Sequence, residues 1–389
     1  MSMKARFTIL ALGLSLAASG AALAQSQGVS KDTITLGSIQ DLSGPLAGFG
    51  KQLRMGMQLR VDEVNEQGGV NGRKLNLKFE DSGYDPKRAV LAAQKLVNQD
   101  KIFAMLGHIG TAQNVATFPV LFDKNVISFF PVTAAREMYE PHNRLKYSFA
   151  ATYFDQIRLG APKLYKEKNA KKACAIYQDD EFGLEVLRGA EAGLKSIGVE
   201  LAEKTSFKRG ATDFSSQVAR MKAAGCDFVV LGTIIRETIG TIGESRKTGF
   251  SPTFLASSAA YTDLIHKLGG KPMDGLYAMM TVQNPYLDEA SQPIRFWANK
   301  YKTKFNDDPT VFSVYGYSVV DSFIQAARKA GPNLTTDSFI KAMDSMTLAP
   351  DIFGGAQQTF TATKRLGSDT SRMSQIQDGK WKVVSDYLK

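Results

Sequence analysis

The residues best placed to do chemistry near the N-terminus are Gly44-Pro45-Leu46-Ala47-Gly48-Phe49-Gly50-Lys51-Gln52, a glycine-rich loop between a predicted strand and a predicted helix. Such a loop can cradle phosphate, because its backbone N–H groups converge and the helix N-terminus adds positive partial charge. A phosphate loop has four residues between its outer glycines and Ser or Thr after its lysine, whereas five residues separate Gly44 from Gly50 and Gln52 follows Lys51. A dinucleotide fingerprint requires a third glycine where Leu53 stands. No cofactor is therefore expected, and the loop reads as one shaped to approach something else.

Other reactive residues form no constellation. The histidines, His108, His142 and His266, share no metal-ligand spacing, and no Gly-x-Ser-x-Gly elbow is present. His108 follows a predicted strand and reads as a hydrogen-bonded packing residue. Asp179, Asp180 and Glu181 could do acid–base or metal chemistry, but sequence neighbours point in different directions, so a solvated loop or a lobe contact is expected. Cys174 and Cys226 each open a predicted strand; disulfide geometry between adjacent parallel strands is demanding, so buried free thiols are expected. No enzyme activity is expected.

The chain that must position these residues has 389 of them, 43% apolar and 22% charged, with a formal charge of +10. That length suggests two or three domains, and the aromatic content is too high for a disordered chain. Met1 to Ala24 reads as a secretory signal, with Lys4 and Arg6 before an apolar stretch from Phe7 to Ala18 and a cleavage site at Ala22-Leu23-Ala24. The stretch is too short for a membrane anchor and is interrupted by Ser15, Ser19 and Gly20. Cleavage leaves 365 residues with 46 cations against 38 acids, a charge of +8. Export argues against nucleic acid as a partner, and solvated surface lysines account for the positive balance.

Short apolar runs alternate with longer amphipathic stretches, the rhythm of βαβ units on a parallel sheet. Strands are expected at Thr33 to Ile39, Leu75 to Glu80, Phe103 to Leu106 and Ile127 to Phe130, with helices from about Gly50 to Gln67, from Pro86 and from about Ala112 to Asp123. After an irregular segment from Ala134 to Asp155 the rhythm restarts, with strands at Ala173 to Tyr177, Glu200 to Thr205, Phe228 to Leu231 and Thr253 to Ala256. Two such blocks imply an α/β protein of two Rossmann-like lobes joined by crossover strands, with a ligand cleft between them beyond the carboxyl ends of the strands. The remainder from Gly275 reads as one strand, two helices and a polar tail that complete the lobes. Lobe I is expected to comprise 29–149 and 282–350, lobe II 150–281 and 351–389.

The run Gly37 to Pro45, the stretch Asn65-Glu66-Gln67-Gly68-Gly69-Val70-Asn71-Gly72, Asp81 to Pro86, Gly107-His108-Ile109, Asp213-Phe214-Ser215 and the strand Phe228 to Gly232 occur in an order that resembles the leucine/isoleucine/valine-binding proteins, type I periplasmic solute-binding proteins of ABC importers. The resemblance implies a periplasmic monomer that delivers a small ligand to an inner-membrane ABC permease. It also implies the site: Phe49 against the ligand's body, and Ile109, Gly110 and Thr111 at a helix start that holds its carboxylate. Val132, Thr133 and Ala134 lie on the neighbouring loop. From the second lobe come Phe182, Ile234 and Ser258, with Tyr153 near the crossover and Arg236 beside Ile234.

Departures from the family pattern bear on the ligand. Amino-acid binders of this family carry a glutamate for the α-ammonium where this chain has Ser258, and hydroxyls where it has Ala134 and Phe182. The family's first-lobe disulfide is also missing, with Tyr84 and Gly110 at its positions. Burying an ammonium without a carboxylate costs several kcal/mol. The expected ligand is a small organic acid with an apolar or aromatic body. Amino-acid uptake and a periplasmic sensor that presents its solute to a receptor are the alternatives.

Overall fold

The computed structural model describes residues 26–389, so the proposed signal from Met1 to Ala24 lies outside the described residues. The first half of the rhythm folds as β1 (Thr33–Gln40), α1 (Ala47–Glu66), β2 (Lys74–Asp81), α2 (Pro86–Asn98), β3 (Ala104–Leu106), α3 (Thr111–Asp123), β4 (Ile127–Phe129) and β5 (Lys146–Tyr147). Its five strands are parallel and ordered β2-β1-β3-β4-β5. The second half gives α4 (Tyr153–Glu167), β6 (Ala173–Gln178), α5 (Glu181–Lys195), β7 (Leu201–Phe207), α6 (Ser215–Ala223), β8 (Phe228–Gly232), α7 (Ile235–Lys247), β9 (Thr253–Ala256), α8 (Leu264–Gly269) and β10 (Tyr277–Met280). Every residue of β8 and β10 is buried, as suits strands covered on both faces of a parallel sheet.

The C-terminal part departs from the single strand and polar tail expected there. It contains α9 (Gln292–Phe305), α10 (Val311–Ala330), α11 (Thr336–Met343), β11 (Thr347–Leu348), β12 (Gln358–Thr359), β13 (Arg372–Gln377) and β14 (Lys380–Val383). The last two strands form a hairpin that adds antiparallel strands to the second sheet, ordered β14-β13-β10-β9-β8-β6-β7. Its turn is Asp378-Gly379, both at positive φ, which suits the right-handed twist of the flanking strands. The segment between Ala134 and Asp155, expected to be irregular, contains β5 and the start of α4, which Thr152 caps by accepting from the Asp155 N–H.

The first sheet is covered on both faces. In the first lobe α2 and α3 pack Ala89, Leu96, Val97 and Leu121 against Ile39 and Met105, while α1, α10 and α11 close the other face with Met57, Phe323 and Phe339. α1 and α10 cross closely because neither has a side chain at the contact. A Cβ on Gly56 would stand 2.0 Å from the Ser313 carbonyl oxygen, and one on Gly316 2.2 Å from that of Leu53. Phe360, beyond β12, packs against Phe130 and Tyr147, in the core of the first lobe.

Cys174 and Cys226 are joined as a disulfide with Cα atoms 5.9 Å apart, which corrects the expectation of free thiols. Cys226 does not open β8. It sits in the turn two residues earlier, just after Gly225, and so escapes the register that pairs Cys174 with Val229.

Candidate functional site

In both lobes the strand order reverses beside the first strand of the unit, between β1 and β3 and between β6 and β8. Loops at such switch points splay apart and leave a crevice at the carboxyl ends of the strands. The glycine-rich loop follows β1. The buried Asp41 carboxylate pins it by accepting from the N–H groups of Ser43 (3.3 Å), Gly44 (2.5 Å) and Leu46 (2.6 Å). Gly50 is required there, since a Cβ would stand 1.9 Å from the Asp41 carbonyl oxygen. The loop thus delivers Leu46 and Phe49 to the crevice rather than wrapping a phosphate.

At the end of β2, Asp81 accepts from the Leu42 and Gly83 N–H groups at 2.9 Å and from the Ser43 hydroxyl at 2.5 Å. Burial raises its carboxyl, but these bonds and the Arg88 charge outweigh that and hold it below the usual range. After β3, α3 opens at Thr111 with Gly110 as its N-cap, at φ 95, and no side chain caps the helix. The first N–H groups of α3 therefore keep their capacity for an anion, reinforced by the helix dipole. The Thr111 and Thr133 hydroxyls lie beside them, 2.6 Å apart, and the Tyr153 N–H donates to the Ala134 carbonyl next to Thr133 at 2.6 Å.

The second lobe brings Phe182 from the first turn of α5, Ile234 from the N-cap of α7, and Ser258 from beyond β9, with the Ser258 N–H bonded to Gln156 at 2.9 Å. Aromatic contacts close the walls. Phe49 stacks on Phe312 with centroids 3.7 Å apart, and Tyr153 meets Phe182 edge-on at 5.0 Å. The Tyr315 hydroxyl is 2.9 Å from that of Thr281. Burial pushes the phenols of Tyr84, Tyr153 and Tyr315 up, so all three remain hydroxyls at neutral pH.

These residues line one cavity, and the space between its walls, open mouth included, is about 590 Å³. It gathers Phe49, Ile109, Gly110, Thr111, Val132, Thr133, Ala134, Tyr153, Phe182, Ile234 and Ser258. Arg236 is not among them. It is the second residue of α7 and faces solvent, one step around the helix from its buried neighbours. Reasoning from the sequence missed Leu46, Tyr84, Phe149, Ala150, Ala259, Thr281, Phe312 and Tyr315, which share the cavity. Phe312 and Tyr315 stood one turn apart at the start of a capped helix, a spacing that puts both rings on one face. The lining includes seven aromatic rings and no charged side chain.

Residues 33–380 match the family described as periplasmic binding protein. The chain belongs to that family. Among its curated relatives, the Leu/Ile/Val/Thr-binding protein of Salmonella typhimurium is 27% identical over 327 residues, covering 84% of this chain and 86% of the relative. An amino acid binding protein of Pseudomonas aeruginosa is 25% identical, covering 77% and 79%. Among solved structures, the fatty acid ABC transporter substrate-binding protein from Thermomonospora curvata superposes with a TM-score of 0.84 at 24% identity, covering 94% of each chain. A branched-chain amino acid ABC transporter protein from Thermus thermophilus with bound valine gives 0.83 at 17%, covering 92% of this chain and 97% of that one. This periplasmic binding protein thus has the two-lobed type I fold.

Its remaining singled-out residues lie outside the cleft wall. His108 is buried behind the α3 N-terminus with neither ring nitrogen bonded, and burial alone lowers its pKa to about 3, so it is a neutral packing residue without the expected hydrogen bond. Asp179 pairs with Lys208, and Asp180 with Arg209 at 2.7 Å. Glu181 opens α5. No group of His, Cys, Asp and Glu suited to a metal occurs among the described residues.

Proposed function

We propose that this periplasmic binding protein is the exported substrate-binding component of an ABC importer and that its ligand is a small carboxylate with an apolar or aromatic body and no α-ammonium. The observation that carries this is the pairing of an uncapped helix N-terminus and two threonine hydroxyls with a wall of seven aromatic rings and no charged side chain. A carboxylate takes the α3 N–H groups and the Thr111 hydroxyl. The body of the ligand lies among Phe49, Phe182 and Phe312, where ring stacking adds to apolar burial. Nothing in the lining would neutralise an ammonium. The Cys174–Cys226 disulfide supports export, since such bonds persist in oxidising compartments.

The proposed lobes comprise 29–149 with 282–350 and 150–281 with 351–389, except that the packing of Phe360 on Phe130 and Tyr147 supports counting the stretch around β12 with the first lobe. They close on the ligand, which favours the closed arrangement by its contacts to both. The curated relatives named for leucine, isoleucine and valine support a second reading, uptake of a branched-chain amino acid. Calorimetric titration with benzoate, phenylacetate, aliphatic acids, leucine and valine separates the two. The acids are expected to bind about a hundredfold or more tightly than the amino acids, because an unpaired buried ammonium costs several kcal/mol. Tight leucine or valine binding with none of the acids would overturn the first reading.

A further inference from the structure

Tyr84 differs from the other rings of the cleft in being held in a strained backbone, and it is gripped from the opposite lobe by a cation and an amide. Its φ is 61°, the left-handed region that a residue with a Cβ avoids. Three bonds keep it there. Asp81 accepts from the Gly83 N–H at 2.9 Å, the Ser82 hydroxyl accepts from the Tyr84 N–H at 3.3 Å, and Gln113 Nε2 donates to the Tyr84 carbonyl at 2.6 Å. All of these belong to the first lobe and are independent of the second.

The ring itself reaches across. The Arg209 guanidinium lies 5.0 Å from its centroid, and Gln178 Nε2 donates to its hydroxyl at 3.3 Å. Arg209 is fixed by Asp180 at 2.7 Å, and Asp180 also accepts from Gln178 at 2.6 Å and caps α5 at the Gly183 N–H. On the first-lobe side the ring edge packs against Gly110, where a Cβ would stand 3.1 Å from Tyr84 Cε2. Tyr84 lines the cavity while Arg209 does not.

We propose that Tyr84 sets both ligand length and lobe closure: its ring walls the carboxylate end of the cavity and is clamped by Arg209 and Gln178 of the second lobe only when the lobes meet. The assignment rests on the cleft being the ligand site. A ligand pressing on the ring presses on the clamp, so ligand fit and closure are read by one residue. Preorganisation in the first lobe means that closing adds the Arg209 and Gln178 contacts without a further cost of ordering Tyr84.

The test uses the pair Asp180→Asn with Arg209→Gln, which leaves no unpaired charge and retains a side chain able to cap α5. Arg209→Lys keeps the cation, and Tyr84→Leu shortens the wall. In the whole protein, small-angle scattering without ligand reads the open fraction, and calorimetry with benzoate, phenylacetate and their longer homologues reads affinity. The neutral pair is expected to open the lobes and weaken the best acid about threefold to tenfold, the worth of one cation–π contact, with the melting temperature held. Arg209→Lys should recover part of the loss, and Tyr84→Leu should move the preference toward longer acids. Unchanged scattering and affinity in the neutral pair would overturn the clamp, as would an unmoved length preference in Tyr84→Leu for the wall. If no acid binds the wild type, the carboxylate reading fails while scattering still decides the clamp.

Discussion

Helices α3 and α7 occupy equivalent places in the two lobes, each following the strand beyond the switch point, yet their N-termini are in opposite states. In α7 the third residue is Glu237, a buried acid in the first turn of the helix. Burial pushes that carboxyl up, and the backbone N–H groups at the helix start pull it part of the way back. The start of α7 therefore carries a buried acid of the chain's own. In α3 the third residue is Gln113, its amide is turned to the Tyr84 carbonyl, and the first turn holds no acid. The same scaffold thus sets a buried acid at one helix start and none at the other, a difference of one side-chain type at one helix position that disfavours an anion at α7 and leaves α3 open to one.

The lobes also differ in how their cores are held. The second carries the Cys174–Cys226 bond across 52 residues of chain, while the two cysteines are the only ones in the sequence. Closing a loop of that length is worth about 4 kcal/mol in the chain-entropy account. Replacing both cysteines by alanine should lower the unfolding free energy by up to that amount, measured by denaturant titration, with acid affinity unchanged in the protein that remains folded. A loss of affinity would mean that the staple shapes the cleft, and that the two differences between the lobes are one.

Next in size is Gln113→Glu, which rebuilds the α7 arrangement in α3. A carboxylate cannot donate to the Tyr84 carbonyl as Gln113 Nε2 does, so it would turn to the α3 N–H groups and repel the ligand's own, and with the Tyr84 bond lost the cost is about 3 kcal/mol, or roughly a hundredfold in affinity. Calorimetry checks the affinity, and a retained melting temperature checks that the new acid serves as a cap. If the acid still binds as tightly, its carboxylate lies elsewhere.

How far such features could be read in the sequence depended on whether their cause was local. β8 and β9 announce themselves as short apolar runs, and Thr253–Ala256 was legible to the residue. The β13–β14 hairpin was not, because Met373, Ile376 and Trp381 are spaced among Ser, Gln and Lys and only the Asp378-Gly379 turn marks it. The same holds at the cleft. Thr111 and Phe182 follow strands and could be placed through the family likeness, whereas nothing near Phe312 says that it stacks on Phe49. Arg236 failed for a local reason that spacing alone does not show: Ile234 is the cap and turns inward, so the residue two places on turns out. The disulfide failed because the register of β8 begins after Cys226, a matter of where the α6 turn ends.

The smallest expected effect is also the sharpest comparison of the two walls, since it removes one hydroxyl from each. Thr111→Ala deletes the hydroxyl that meets Thr133 at 2.6 Å beside the α3 N–H groups. A hydrogen bond to a charged acceptor is worth about 1.5 to 3 kcal/mol, and Thr133 is close enough to take over part of the role, so a loss of about tenfold in acid affinity is expected. Ser258→Ala deletes a hydroxyl of the second-lobe wall, where no charged group needs it, and should leave acid affinity within about twofold. Thr111→Ser keeps the oxygen and should bind as the wild type does. Titration of the three variants with one acid reads the asymmetry directly. Equal losses at Thr111 and Ser258 would mean that the ligand is polar at both ends, which is the behaviour of an amino acid rather than of an apolar acid.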